Sequence, residues 1–268
     1  IIWDVESHDW SKPLVIGALE PDGTYREFTD NPVKSFGDYC MQSKHRNYRF
    51  VSHNGGGYDH GFILDYLLEY SADTYNWNIL ESNGDLFYLE IEDEHGKPRH
   101  FQDSIKIMPR SLENLADSFA DVGKLSPDKV DIHDLPPHLS DLNRDERQEL
   151  SKYLKRDCVA LRQCLQEFTE IISDLTNGNV GPQLTVASTA LSVYQCHFMQ
   201  DEKLDNGIKQ SDPHIEAKTR ESYYGGRNEE FKQRGQADKG TYNHYDVKSL
   251  FPHRYTNYSF SAGKTHYI

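Results

Sequence analysis

The stretch from Arg144 to about Leu175 reads as one long helix, and Asn177-Gly178-Asn179 followed by Gly181-Pro182 ends it. That helix and its stop constrain the chain more than any other feature. Segments with strand character lie ahead of it, so it must pack on whatever sheet they build. The stop is the best domain boundary, which divides the chain into residues 1–178 and 179–268.

Ahead of the helix, Ile1 to Glu6, Leu14 to Leu19 and Tyr25 to Phe28 read as three strands, with a tight turn at Pro21-Asp22-Gly23. Phe50-Val51-Ser52-His53 is a short buried strand that Gly55-Gly56-Gly57 breaks. A helix follows from about Tyr58 to Tyr70. Leu86 to Ile91 and Arg99 to Asp103 are two further strands joined across Glu94 to Lys97. Ser111 is suited to cap a helix running to about Ala120. Residues 121–143 read as a long loop, and Thr185 to about Gln200 as a helix. The remainder is irregular apart from a strand around Tyr242 to Val247. Strands and helices in this order give a mixed α/β fold with a central sheet over residues 1–175.

The chain has 268 residues, is 36% hydrophobic and carries a net charge of −14. No stretch approaches the roughly 18 apolar residues of a membrane helix, and no basic, then apolar leader opens the chain. It does not begin with Met, as expected of a trimmed or cloned piece. Four cysteines at 40, 158, 164 and 196 form no C-x-x-C pair, which argues against structural zinc and fits a reduced cytoplasmic setting. The acidity has two readings: a protein that never meets nucleic acid, or a surface adapted to high salt. It is uneven. Residues 209–268 hold 10 Lys/Arg against 7 Asp/Glu, a net of +3, so the first 208 residues carry −17.

Three carboxylate signals stand out. Asp4 and Glu6 are two apart on a strand and therefore face the same way. Asp59 ends Asn54-Gly55-Gly56-Gly57-Tyr58-Asp59, where glycines permit close backbone approach to a ligand. Asp157 lies one helical turn after Tyr153, on the same helix face. Each has a plainer reading: a strand-end acid, a helix-capping acid after a glycine turn, and a charged surface helix. Together the four acids supply the hard oxygen ligands that two divalent ions about 4 Å apart require for phosphodiester hydrolysis. Tyr153 is placed to hydrogen-bond an attacking water.

The order and content of these segments resemble the DEDD exonucleases of the Tyr subclass, in particular the proofreading domain of family B DNA polymerases. Asp4-Val5-Glu6 resembles the first exonuclease motif, Asn54 to Asp59 the second (N-x-x-x-[FY]-D) and Tyr153 to Asp157 the third (Y-x-x-x-D). Tyr223-Tyr224-Gly225-Gly226 resembles the Y-x-G-G motif between exonuclease and polymerase domains. Tyr245-Asp246-Val247-Lys248-Ser249-Leu250-Phe251-Pro252 resembles polymerase motif A, with Phe251 where the family usually has Tyr. The form of the motifs is most similar to the protein-primed branch.

The resemblance implies a ribonuclease H-like exonuclease fold followed by a partial palm region. It implies two Mg²⁺ or Mn²⁺ ions on Asp4, Glu6, Asp59 and Asp157, with Asp246 half of a polymerase metal site. Lys129, or alternatively Lys124, would contact the scissile phosphate. Ser7, Asn54, Tyr58 and Ser104 would contact single-stranded DNA, as would Tyr223, Gly225 and Gly226. Asp246, Ser249, Leu250 and Phe251 would form the nucleotide-binding edge of motif A. Implied partners are the 3′ end of single-stranded DNA, primer-template DNA and a terminal priming protein, in the cytoplasm of a host if the source is viral. A halophilic archaeal virus or provirus would reconcile the acidity with DNA binding. The second polymerase carboxylate and the fingers lysine have no counterpart before Ile268, so nucleotide transfer is not expected of these 268 residues. Two other readings remain open: a stand-alone DEDD nuclease acting on RNA, and a catalytically silent, polymerase-derived DNA-binding remnant.

Overall fold

The computed structural model describes residues 1–8, 11–71, 73–82, 84–121, 135–198 and 213–221. The chain divides into two compact units, Ile1–Glu202 and Lys203–Ile268. In the second, one helix falls within the described residues, α6 (Pro213–Glu221).

The described residues of the first unit hold seven strands: β1 (Ile2–His8), β2 (Lys12–Leu19), β3 (Tyr25–Phe28), β4 (Arg49–Ser52), β5 (Asn76–Ser82), β6 (Asp85–Glu92) and β7 (Pro98–Asp103). They form one sheet in the order β3-β2-β1-β4-β7-β6-β5. The central pairs β1–β4 and β4–β7 are parallel and the others antiparallel. The mixed α/β sheet expected from the sequence is therefore present. Its helices are α1 (Pro32–Cys40), α2 (Asp59–Ser71), α3 (Leu112–Phe119), α4 (Arg144–Thr176) and α5 (Val186–Phe198).

The strand period sorts the core into two layers. Trp3 and Val5 of β1 join Phe36 of α1, Ile63 and Leu67 of α2, and Phe50 and Phe101 of the sheet in one cluster. Ile2, one residue out of phase, joins Leu112 and Leu115 of α3 and Cys158, Leu161 and Cys164 of α4 in another. Side chains alternate along a strand, so Asp4 and Glu6 share the α4 side of the sheet with Ile2.

Helix α4 starts on a capping box: Asn143 Oδ1 accepts from the amides of Asp145 (2.9 Å) and Glu146 (3.0 Å), and Glu146 Oε2 accepts from the Asn143 amide (2.7 Å). It stops at Asn177, which takes the left-handed conformation (φ 51°, ψ 40°), as the Asn-Gly pair predicts.

Helix α1, strand β5 and helix α6 are absent from the sequence reading. Helix α1 is short and buries Phe36, Gly37, Tyr39 and Cys40. Strand β5 is an edge strand whose Ile79 and Leu80 are exposed on successive positions, so it lacks the inside-outside alternation that marks a half-buried strand. Helix α6 is polar and carries no apolar stripe. No described helix is long and apolar enough to cross a membrane. All four cysteines are free thiols.

Candidate active site

A cleft of about 450 Å³ opens on the α4 side of β1, and Asp4, Glu6, Asn54, Tyr153 and Asp157 line it together with the apolar Ile2, Ile105, Leu112 and Leu161. Two of the three sequence signals thus converge directly. Asp4 sits opposite Gly17 of β2 and Glu6 opposite Val15, and the register slips between Glu6 and Ser7. On α4, Leu150, Tyr153, Leu154, Asp157, Cys158 and Leu161 are buried at helical spacing, so Tyr153 and Asp157 belong to the stripe that packs on the sheet.

The close approach of α4 depends on Gly17. A methyl group there would stand 2.8 Å from Leu154 Cγ and 2.6 Å from the Tyr25 hydroxyl. The thiol of Cys158, one residue after Asp157, points back at the Gly17 carbonyl (3.9 Å). Burial pushes that thiol well up, and the negative fields of Asp4, Asp157 and Glu6 push it further. Three of the predicted ligands therefore act on one point.

Asp59 is the first residue of α2 and is buried, at 6% exposure. It does not line the cleft, but it is electrostatically tied to it. Burial raises its pKa well above the usual carboxylate range, and the charges of Asp4 and Asp103 raise it more. Tyr58 is half-buried beside it, and its hydroxyl shares a 2.6 Å hydrogen bond with Ser7 Oγ. Burial raises the Tyr58 hydroxyl; the bond to Ser7 opposes this, while the charges of Asp59 and Glu6 add to it. Asn54 is exposed at the cleft in a left-handed conformation (φ 62°). Asn adopts that region more readily than most residues.

Ser104 takes a different place from the one expected of a strand-contacting residue. It is fully buried, its hydroxyl donates to the Ser52 carbonyl (2.8 Å), and His53 Nδ1 lies 2.9 Å from its Oγ. Lys129, Lys124, Tyr223, Gly225, Gly226, Asp246, Ser249, Leu250 and Phe251 lie outside the described residues.

The site also contains residues that the sequence reading did not single out. His53 lines the cleft and its Nε2 donates to the Arg110 carbonyl (2.8 Å). His60 is buried, stacks on Trp3 and bonds Ser52 Oγ through Nε2 (3.0 Å); burial pushes its pKa down to about 3, so it is neutral at physiological pH. Their positions flanking Asn54 to Asp59 were the available signal.

The donor set of Asp4, Glu6, Asp59 and Asp157 is all hard oxygen, which suits Mg²⁺ or Mn²⁺ and not a thiolate-seeking metal. Among the described residues no three acidic, imidazole or thiol side chains are already gathered to metal-binding distance. Like carboxylates repel, so an open arrangement is what their charges alone favour.

Comparison with known proteins gives the same direction. The family model for type B DNA polymerases, organellar and viral, matches residues 130–268, which is 139 of the 268 residues. The chain belongs to that family. A probable DNA polymerase of Ascobolus immersus is 24% identical over 260 residues, covering 83% of this chain and 21% of its own length. The DNA-directed DNA polymerase of Enterobacteria phage PRD1 is 25% identical over 220 residues, covering 82% of this chain and 32% of its own. Phi29 DNA polymerase, solved with primer-template DNA, superposes with a TM-score of 0.61 at 16% identity, covering 84% of this chain and 39% of that one. The likeness to phi29 DNA polymerase shows a shared fold, in keeping with the mixed α/β sheet expected from the sequence. The chain spans about a fifth to a third of the length of the curated relatives it matches.

Proposed function

We propose that residues 1–178 are the 3′→5′ proofreading exonuclease of a protein-primed family B DNA polymerase, and that residues 179–268 begin its polymerase domain. The observation that carries this reading is the convergence of Asp4, Glu6 and Asp157 on one cleft, with Tyr153 on its wall and Asp59 buried within the field of Asp4.

Asp4, Glu6, Asp59 and Asp157 would hold two Mg²⁺ or Mn²⁺ ions. Such ions, when bound, supply Lewis acidity that activates water and stabilises the leaving 3′ oxygen. Tyr153 orients the attacking water from α4. Asn54 and Tyr58 hold the terminal nucleotides of a single strand, and the apolar wall of Ile105, Leu112 and Leu161 shelters a base without reading its identity. Lys129, or alternatively Lys124, contacts the scissile phosphate. Phi29 DNA polymerase, whose fold is similar, was solved both with primer-template DNA and with single-stranded DNA, which supports DNA as the partner. In the parent polymerase a terminal priming protein is a further partner, and Asp246 would hold one side of the polymerase metal site.

The test is a 5′-labelled single strand incubated with the 268-residue chain. With Mn²⁺ the expected product is a ladder shortening from the 3′ end, abolished by chelator and reduced at least about a hundredfold in Asp157→Ala, beyond the roughly 10–100-fold typical of outer-shell partners of a metal site. A wild-type rate in Asp157→Ala would sink the proposal.

A further inference from the structure

We propose that Asp103 is the positioning residue for the loop that carries Asn54, Tyr58 and Asp59, a role that rests on the exonuclease reading above for its consequence but not for its geometry. Asp103 ends β7, next to β4 in the sheet, where it is paired in register with Ser52. Its side chain is fully buried. Oδ1 accepts from the Asn54 amide (2.8 Å) and the Ile105 amide (3.0 Å), and Oδ2 accepts from the Gly56 amide (3.0 Å). One carboxylate thus grips two alternate amides of the glycine turn and pins its own strand end at the same time.

A buried carboxylate needs such donors, because an unsatisfied one costs several kcal/mol. Gly55–Gly57 forms a single tight turn, and three glycines resist order because they lose the most backbone freedom. The fit is specific. A methyl group at Gly56 would stand 2.1 Å from the Leu86 carbonyl oxygen and 2.9 Å from Asp103 Oδ2; one at Gly55 would stand 1.8 Å from Ser52 Oγ. Gly56 is therefore closed in between the Leu86 carbonyl and the Asp103 carboxylate, and Gly55 against Ser52, at positions where φ is not positive. The neighbouring Ser104 hydroxyl, donating to the Ser52 carbonyl and in contact with His53, extends the same brace to the residue before Asn54. The loop leads straight into Asp59, so loosening the clasp moves a ligand of the proposed metal site without removing it.

Asp103→Asn keeps the shape but offers one oxygen and one NH₂ group, so at most one side of the clasp survives. Hydrogen exchange on the whole chain, read by mass spectrometry, should show the Asn54–Tyr58 amides exchanging at least about tenfold faster, the ratio set by losing one charge-assisted hydrogen bond. Peptides from β1 and α4 should be unchanged. In the nuclease assay the same variant should need more Mn²⁺ for half-maximal rate and lose kcat, and KM for the strand should rise as well, because Asn54 and Tyr58 sit on the loosened loop. Gly56→Ala, which lifts the turn from the other side and leaves the carboxylate intact, should give the same exchange and Mn²⁺ signature, and it serves as the second arm if Asp103→Asn does not fold. Unchanged loop exchange in either folded variant overturns the proposal. If wild type hydrolyses no DNA, the exonuclease reading fails, and the exchange data alone still decide whether Asp103 holds the loop.

Discussion

Tyr153 and Asp157 reach the cleft from a helix of 33 residues whose buried stripe is mostly apolar, whereas Asn54 at the cleft, and Tyr58 and Asp59 beside it, are held by a glycine turn whose amides are tied to a carboxylate. The first wall is positioned by packing. Leu150, Leu154, Cys158 and Leu161 press α4 onto β1 and β2, and Gly17 sets how close it comes. The second wall is positioned by hydrogen bonds and by the absence of side chains. The difference teaches that one site can be assembled by two forces with different weaknesses: the helix wall yields to added volume, the loop wall to a lost acceptor.

The helix wall is most sharply tested at Gly17. Gly17→Val should force α4 away from β1, because overpacking a tight contact costs about 1–3 kcal/mol and is relieved by backbone shifts. We expect a lower melting temperature and a nuclease rate down by well over an order of magnitude, since misplacement by about 1 Å can cost roughly a hundredfold. Hydrogen exchange in the Asn54–Tyr58 turn should stay as in wild type. A joint loosening of both walls would break the comparison. Tyr153→Phe is milder. It removes one hydroxyl and no volume, so a rate loss of about tenfold is expected, the worth of one hydrogen bond. Single-turnover kinetics should place that loss in the chemical step, with strand affinity unchanged.

The loop wall makes a prediction of opposite sign for stability. Burial, Asp4 and Asp103 hold the Asp59 pKa above its ordinary value. In the metal-free protein, stability is therefore lost as pH rises through that raised pKa, because the folded chain must ionise a buried acid that the unfolded chain ionises freely. Asp59→Asn should raise the metal-free melting temperature at neutral pH, by roughly 2–4 °C for each kcal/mol gained in a domain of this size. Below the ordinary carboxylate pKa the difference should vanish. Equal melting temperatures across the whole pH range would contradict the burial of a charge there.

The same contrast governs what was legible in the sequence. Helix α4 was readable to within a residue of its end because its stripe, its Asn-Gly stop and its length all speak in the chain's own order. Tyr153 and Asp157 come with it, and so do Asp4 and Glu6, whose spacing on β1 aims both at one side. The loop wall was readable only as a pattern, Asn54 to Asp59. Nothing near Gly55 or Gly56 announces that Asp103, 47 residues beyond Gly56, supplies the acceptor. Nor does anything announce that Ser104 turns inward to brace the Ser52 carbonyl instead of lining the cleft. Those are pairings made by the parallel contact of β4 with β7, and a single chain carries no local trace of them. Helix α1 and strand β5 escaped for a simpler reason: a short helix with few buried residues and an exposed edge strand leave weak periodicity.

Mn²⁺ titration in the presence of a single strand tests most directly whether the two walls serve one metal-binding site. Asp157→Ala from the helix wall and Asp59→Asn from the loop wall should each weaken Mn²⁺ binding, measured on the folded protein by calorimetry or Mn²⁺ spectroscopy, and each should reduce the number of ions bound below two. If Asp59→Asn binds Mn²⁺ as wild type does while Asp157→Ala does not, the walls do not form one site.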